Sequence, residues 1–460
     1  MKKILFFVMA AALFCGCDKE DDPRIDPVAF FTSLKHADIA DAQSLYVASG
    51  VATRGGGEAA DVQTLYKITF NGETQKVEFV DESGKPTDVK TNYVMNLSDK
   101  FLVIDVLITE PANDAHIHDL VMEYAFIVRK SDGAMFAPGF SSTHDVPMPY
   151  VMRFFHQGWI GGDVPAAIAD KAWRLQTDGN NDVYFPAGGI AKIYDDATGN
   201  VFVEELVSAE MWPQDYYHHF DYLDYTVNEN GDIWMNDFGR TYFYRLSSGL
   251  FIRGGNDNWK CSGGYPFTLP GNPKSFYRID MDAAYDNQTW GKNKWVLYKY
   301  TVQQNTLIEE PCVSGYYDYE YSGNQYNIGY DAVRLQDCVV AFTDLGIFVI
   351  NGETDVRFFE VKFPERPEDR PYLHSDKYVY APDNQGNILR FDPTTGTVSP
   401  VYTNTRYEIR NLRLFADDLM QFSAFDLQTG ATVIVEVDNG QERIIDMIDG
   451  RTVIQMERIN

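Results

Sequence analysis

The sequence predicts an all-β fold, a single β-propeller of seven or eight four-stranded blades. Three observations predict it. Tight-turn signals recur along the chain, strand-like runs flank each of them, and long helical periodicity is scarce. The alternative architecture is a pair of tandem β-sandwich domains.

The turns come in order. Phe70-Asn71-Gly72 sits in LYKITFNGETQKVEF and Ser131-Asp132-Gly133 in AFIVRKSDGAMF. Asp196-Ala197-Thr198-Gly199 and Ser247-Ser248-Gly249 follow. Val302-Gln303-Gln304-Asn305 makes a similar connection without glycine. Ile350-Asn351-Gly352, Pro393-Thr394-Thr395-Gly396 and Leu427-Gln428-Thr429-Gly430 complete the series. Asn-Gly and Asp-Gly tolerate the positive φ that tight hairpins need. The flanks are rich in Val, Ile, Phe and Tyr and often alternate with polar residues, as half-buried strands do. The best helical candidate, Val164–Leu175, is short.

The eight turns recur at about 35 to 65 residues. A four-stranded blade takes roughly 40–50 residues. Ring closure also removes the exposed sheet edges that would otherwise pair with other chains. VYFPAGGIAKIYDDATGNVFVEEL (Val183–Leu206) and YVYAPDNQGNILRFDPTTGTVSPVY (Tyr378–Tyr402) share one plan: strand, glycine turn, strand, x-x-Thr-Gly turn, strand. That unit resembles the blades of YVTN-type and quinoprotein-like propellers, and the resemblance extends over most of residues 60–440. No Pro/Gly/Ser linker marks a boundary near the middle.

The N-terminus reads differently. Lys2 and Lys3 precede the apolar run ILFFVMAAALF, Ile4–Phe14. That run is too short to span a bilayer, which takes about 20 residues. It fits the apolar region of a secretory signal. Phe14-Cys15-Gly16-Cys17 resembles a bacterial lipobox. The resemblance implies cleavage before Cys17 and acylation of that residue, with Cys15 lost with the signal. A C-x-C metal pair is the competing reading, with no second cysteine or histidine cluster nearby. Asp18, Lys19, Glu20, Asp21 and Asp22 then form a solvated tether. They resemble the acidic export signal of Bacteroidetes surface lipoproteins; the bland reading is a polar linker on a periplasmic lipoprotein. The expected organisation is signal peptide 1–16, lipidated Cys17 and tether 17–27, and propeller 28–460.

Net charge is −28, and loss of residues 1–16 would make it −30. So acidic a chain repels nucleic acid and anionic membrane surfaces. No other stretch has 18 unbroken apolar residues, so no transmembrane helix is expected. Cys261, Cys312 and Cys338 remain after cleavage. Cys261 and Cys312 lie in loop-like contexts and could form a disulfide, whereas Cys338 in CVVAF reads as a buried thiol.

Candidate chemistry is sparse. His116-Ile117-His118 would share a strand face and could offer two ligands to zinc, but the segment reads as a loop. His218 and His219 are adjacent and point apart in a strand. Asp178–Asp182 and Asn228–Asp232 are oxygen-rich turns that could hold structural calcium, though they lack the EF-hand glycine and glutamate. No metal site and no cofactor is predicted beyond that calcium option. G-x-S-x-G, H-E-x-x-H and Walker patterns are absent from the sequence. Acid pairs such as Asp221 and Asp224 say nothing without geometry.

The strongest functional lead is aromatic. GYYDYEYSGNQY places Tyr316, Tyr317, Tyr319 and Tyr321 in one long connection, and Trp259 and Trp212 lie in others. Such rings give large contact area at low entropic cost and suit sugars or peptides. The competing reading packs them blade against blade. The expectation is therefore a monomeric, non-catalytic surface lipoprotein, held in the outer membrane through Cys17. It would bind a glycan, peptide or protein partner through loops on one propeller face. The alternatives are a polysaccharide hydrolase or lyase, a scaffold subunit of an outer-membrane assembly, and a location on the periplasmic face.

Overall fold

The computed structural model describes residues 34–50, 63–87, 89–110, 120–136, 175–186, 190–207, 224–237, 241–254, 266–282, 292–318, 331–343, 345–365, 372–448 and 451–459. Every regular element among them is a strand. They form eight four-stranded antiparallel sheets and one small three-stranded sheet.

We number the larger sheets as blades. Blade one draws on both ends of the chain. Its inner strand Arg451–Arg458 pairs with Ala42–Gly50, which pairs with Gln63–Thr69 and then Thr74–Lys76. Blades two to eight are each continuous in sequence: 90–136, 176–207, 224–254, 267–318, 331–359, 373–402 and 407–448.

The ring follows from how these sheets bury their faces. Side chains alternate across a strand, so each sheet has two apolar faces to cover. Val183 and Phe185 of blade three pack on Tyr93, Phe101 and Val103 of blade two. Tyr184, between them in sequence, turns the other way onto Tyr225 and Ile233 of blade four. Trp234 and Ile252 join blade four to Phe276 and Tyr300 of blade five. Further clusters join five to six, six to seven and seven to eight. Ile434 and Ile448 of blade eight then meet Tyr46, Ile68 and Met456 of blade one, and blade one meets blade two through Leu45, Val47, Val94 and Ile104. Eight junctions join eight sheets and return to the start, so the described residues form one closed β-propeller rather than two sandwiches.

The eight expected turns are all hairpins. Seven join the third and fourth strands of blades one to seven. The last, Leu427–Gly430, joins the second and third strands of blade eight, whose third–fourth turn is Asn439-Gly440. Gln304 and Asn305 hold φ of 49° and 63°, which lets their hairpin close without glycine. A shared side-chain device fixes several turns. The Asp178 carboxylate accepts the Asn180 and Asp182 amides at 2.9 and 3.2 Å. Asp196, Asn228, Asp383 and Asp81 each do the same with the residues two and four positions on. Val164–Leu175, the helical candidate, lies outside the described residues apart from Leu175.

Antiparallel order divides the ring into two faces. The first–second turns of blades two to eight and the third–fourth turns of all eight lie on one face, here the turn face. The strand ends that lead into second–third connections and into the links between blades lie on the other, the connection face. Inner strands of neighbouring blades touch around the axis, as Arg451–Arg458 touches both Lys90–Asn96 and Tyr407–Ala416. The small sheet, Leu34–Ala37 with Phe79–Asp81 and Pro86–Thr87, lies beside blades one and two.

Candidate functional site

Blade five carries the longest hairpin among the described residues, Lys292–Gln303 with Thr306–Asp318, and its open end, at Lys292 and Asp318, lies on the connection face. A Cβ on Gly315 would come within 2.5 Å of the Trp295 ring. The glycine therefore lets that indole lie across the hairpin, buried and edge-on to Phe348 at 5.6 Å. Tyr316, one residue on, turns to the opposite side and is 62% exposed.

Blade eight contributes a second exposed apolar side chain, Leu427, also 62% exposed. The residue before it is fully buried. Asp426 takes a two-pronged ion pair from Arg406, at 3.0 and 2.7 Å, with hydrogen bonds from the Gln428 amide and the Thr429 hydroxyl. The Arg406 hydrogen bonds hold its pKa far below the usual carboxylate range. The Leu427 amide donates to the Arg406 carbonyl at 3.0 Å. Leu427 is thus presented on a rigid base.

The inner wall is polar where the ring closes. Arg413 of blade eight grips Glu457 of blade one at 3.2 and 2.6 Å, and Gln455 donates to the same carboxylate at 2.7 Å. Deeper in the same junction, Ser44 donates to Gln421, and Gln421 donates to Glu436. Lys130 of blade two is buried and donates to the Ser98 carbonyl at 2.9 Å. Burial, aided by the nearby Arg458 charge, pushes its pKa down to about 8.

The two oxygen-rich turns, Asp178–Asp182 and Asn228–Asp232, lie on the turn face. Asp178 and Asp182 both face Lys192, at 3.3 and 2.8 Å, and Asp178 also accepts the Tyr184 hydroxyl at 3.0 Å. Burial acts to lower the Lys192 pKa, but the Asp182 hydrogen bond and the fields of Tyr184, Asp178 and Asp182 raise it overall. In the second turn Asn228 donates to Asp232 at 2.9 Å. Among the described residues no three His, Cys, Asp or Glu side chains gather as metal ligands.

Of the residues singled out from sequence, Tyr316 is described and exposed. The backbone of Tyr317 is described in the same strand, and its side chain is not. Tyr319, Tyr321, Trp259, Trp212, Cys17 and Cys261 lie outside the described residues, as do His116, His118, His218, His219 and Asp221. Cys312, half-buried on Thr306–Asp318, has its sulfur 3.9 Å from the Glu310 carbonyl, and burial raises its pKa. Cys338 is buried, as CVVAF suggests, and burial pushes its thiol up to about 11. The large rings that are described do pack between blades. Trp234 meets Tyr300 edge-on at 4.2 Å, and Phe342 meets Tyr372 at 4.3 Å. Sequence reading missed Leu427 and its Arg406–Asp426 support. The only local signal is a charged residue at each end of the strand pair that Arg406 and Asp426 flank, Arg406 just ahead of Tyr407–Ala416 and Asp426 closing Leu419–Asp426.

No protein-family model matches the chain, and no curated protein matches it. Solved structures similar to it include virginiamycin B lyase from Staphylococcus aureus, at 12% identity over 73% of this chain and 96% of that one, with a TM-score of 0.33. BamB from Moraxella catarrhalis is 12% identical over 80% and 92%, with a TM-score of 0.32. TolB from Acinetobacter baumannii is 12% identical over 77% and 82%, with a TM-score of 0.26. The propeller assignment rests on the sheet order and the eight junctions, not on these distant likenesses.

Proposed function

We propose that this chain is a lipid-anchored surface protein that binds a glycan, peptide or protein partner through its connection face without transforming it. One observation carries the reading. The strands flanking each aromatic-bearing segment, 208–223, 255–265 and 319–330, all end on that face, the face where Tyr316 and Leu427 stand exposed. Exposed rings and apolar side chains on a rigid rim suit a binding surface. The leader and Cys17 supply the anchor, and the outer membrane is the location this reading implies. Calcium in the Asp178–Asp182 or Asn228–Asp232 turn remains an expectation for titration.

The test uses the secreted form. Cys17→Ala should move the protein from the membrane fraction to the soluble one. That soluble chain, screened on glycan and peptide arrays, should lose at least roughly tenfold in binding when Tyr316, Tyr317, Tyr319 and Tyr321 become alanine, about the 1.4 kcal/mol of one lost anchor. Equal signals would clear the tyrosines of any role. A second reading, a scaffold subunit, is favoured by Ile444 and Met447, both exposed on the outer strand Gln441–Ile448 of blade eight.

A further inference from the structure

We infer that the outer strand of blade five is a docking edge. Its residues 313–317 accept, by β-strand addition, an extended segment of a partner protein with lysine or arginine at its ends. The inference rests on the connection-face binding reading above and names how a protein partner is held there.

The outermost strand of a sheet presents a row of backbone N–H and C=O groups that its own sheet does not pair, and such an edge invites a further strand. In seven of the eight blades this edge is blunted. The outer strand of blade two, Met135–Phe136, is only two residues long. The others carry a charge or a proline, among them Lys76 in Thr74–Lys76, Glu204 in Val201–Val207 and Arg253 in Phe251–Gly254. Arg357 in Val356–Phe359, Pro400 in Thr397–Tyr402 and Arg443 in Gln441–Ile448 do the same. Blade five treats the two halves of its outer strand differently. Thr306–Asp318 is 13 residues long, and its first half holds Glu309, Glu310 and Pro311. Cys312 then bulges out of the ladder, since Tyr298 pairs with Pro311 and Leu297 with Val313. Charge, proline and bulge are the devices that keep an edge from pairing. The next stretch, Val313-Ser314-Gly315-Tyr316-Tyr317, has none of them. Among the described residues no strand pairs with its outer side.

The stretch is ready to take a strand. It pairs residue for residue with 293–297 on its inner side, so its backbone is already held extended. It spans about five residues, a common strand length. Ser314 and Tyr316 share one side and are both exposed. Gly315, between them, lets a second backbone come close. Backbone hydrogen bonds would hold the guest, and Tyr316 would cover its alternate side chains. Charge decides which guest fits. Glu309 and Glu310, both exposed, precede the stretch and Asp318 follows it, in a chain of net charge −28. A guest with basic ends meets opposite charge at each end, and the field of the whole chain draws it in. A second copy of this chain would set acidic flank against acidic flank, so the occupant is a different protein.

The experiment selects random linear peptides on phage against the soluble Cys17→Ala chain, at about twelve residues each, enough to span the stretch and its charged flanks. Selected peptides should alternate polar and apolar residues, lack internal proline and carry Lys or Arg at their ends. N-methylation of every second backbone amide of such a peptide should abolish binding in one register and spare it in the other, because only alternate amides face the edge. Lysines at the two exposed positions, Ser314→Lys with Tyr316→Lys, should weaken binding roughly tenfold or more, whereas Ser314→Thr with Tyr316→Phe should leave it unchanged. Peptides that tolerate methylation in both registers, or that bind the lysine variant as they bind the native chain, overturn the edge. If their binding falls instead with Tyr319→Ala and Tyr321→Ala, the connection-face reading survives without it. Selection of no peptide also overturns the edge, and a glycan signal on the array would still support the surface. Native dimers in sedimentation that the lysine pair dissolves would make the occupant a second copy and overturn the proposal.

Discussion

Lys130 shows at the scale of one residue what closing the ring imposes. Its ammonium is buried with the Ser98 carbonyl as acceptor, near Arg458 rather than in an ion pair of its own. A lysine whose pKa falls to about 8 in the folded state, from 10.5, is a charge that the fold tolerates at neutral pH. Below pH 8 both states hold the proton, and the folded state bears the full penalty. Between about pH 8 and 10.5 the unfolded state binds the proton and the folded state does not, so stability rises with pH. Lys130→Met should therefore be more stable than the native chain at pH 7, by up to about 3 kcal/mol. The gap should narrow toward pH 10. Paired urea titrations at pH 7 and 9.5 read it, and a gap that is constant with pH would mean that the ammonium is not desolvated. Arg413 and Glu457 show the opposite solution to the same problem, since there two largely buried charges meet in two hydrogen bonds. Pairs of that kind lose about 3–5 kcal/mol when one partner is removed.

At the scale of the element, glycine turns do two separable jobs. Gly249 and Gly133 both hold positive φ, 90° and 73°. Around Gly249 a Cβ would meet nothing within 4 Å, whereas on Gly133 it would lie 2.0 Å from the Ala37 carbonyl oxygen. Gly249→Ala should cost only the left-handed backbone term, about 1–2 kcal/mol. Gly133→Ala should cost more, and it should also free the N-terminal strand. Limited proteolysis near residue 33 reports the second effect; equal proteolysis of the two variants would contradict a hold of Gly133 on Ala37. These hairpins were legible because each is local: an Asp or Asn, a glycine and strand-like flanks within a dozen residues. The eighth turn was legible too, but not its place in the blade, since Leu427–Gly430 and Asn439-Gly440 carry the same kind of signal eight residues apart. What holds the N-terminal strand was not legible. Leu34–Ala37 is four residues long, and it is held by the distant strand Phe79–Asp81 and the Gly133 carbonyl, neither of which leaves a mark in it.

For the whole molecule, the repeat period predicted a wheel, and the described sheets make one, with each blade's alternating side chains shared between two neighbours. The period could not say how the wheel shuts. Blade one takes its inner strand from the last residues of the chain and its other three from the first. Pairing across some four hundred residues leaves no local mark in either segment. The same limit governed the candidate site. Tyr316 was visible as part of an aromatic run, but the setting of Leu427 depends on Arg406, at the entry to blade eight, gripping Asp426 twenty residues on in the same blade. Closure also makes the two-face division hold all round the ring, and so underlies the proposed binding surface. Ser49 and Thr452 are directly opposed in the closing pair, and both are partly exposed. Cysteines opposed on neighbouring antiparallel strands fall within disulfide reach, at about 4.5–5.5 Å between Cα atoms. The measurement is oxidation of the Ser49→Cys, Thr452→Cys double variant, with peptide mapping and a non-reducing gel. A closed ring predicts one intramolecular link between the two peptides and a faster-migrating monomer. Only intermolecular dimers, or no link between those peptides, would contradict it.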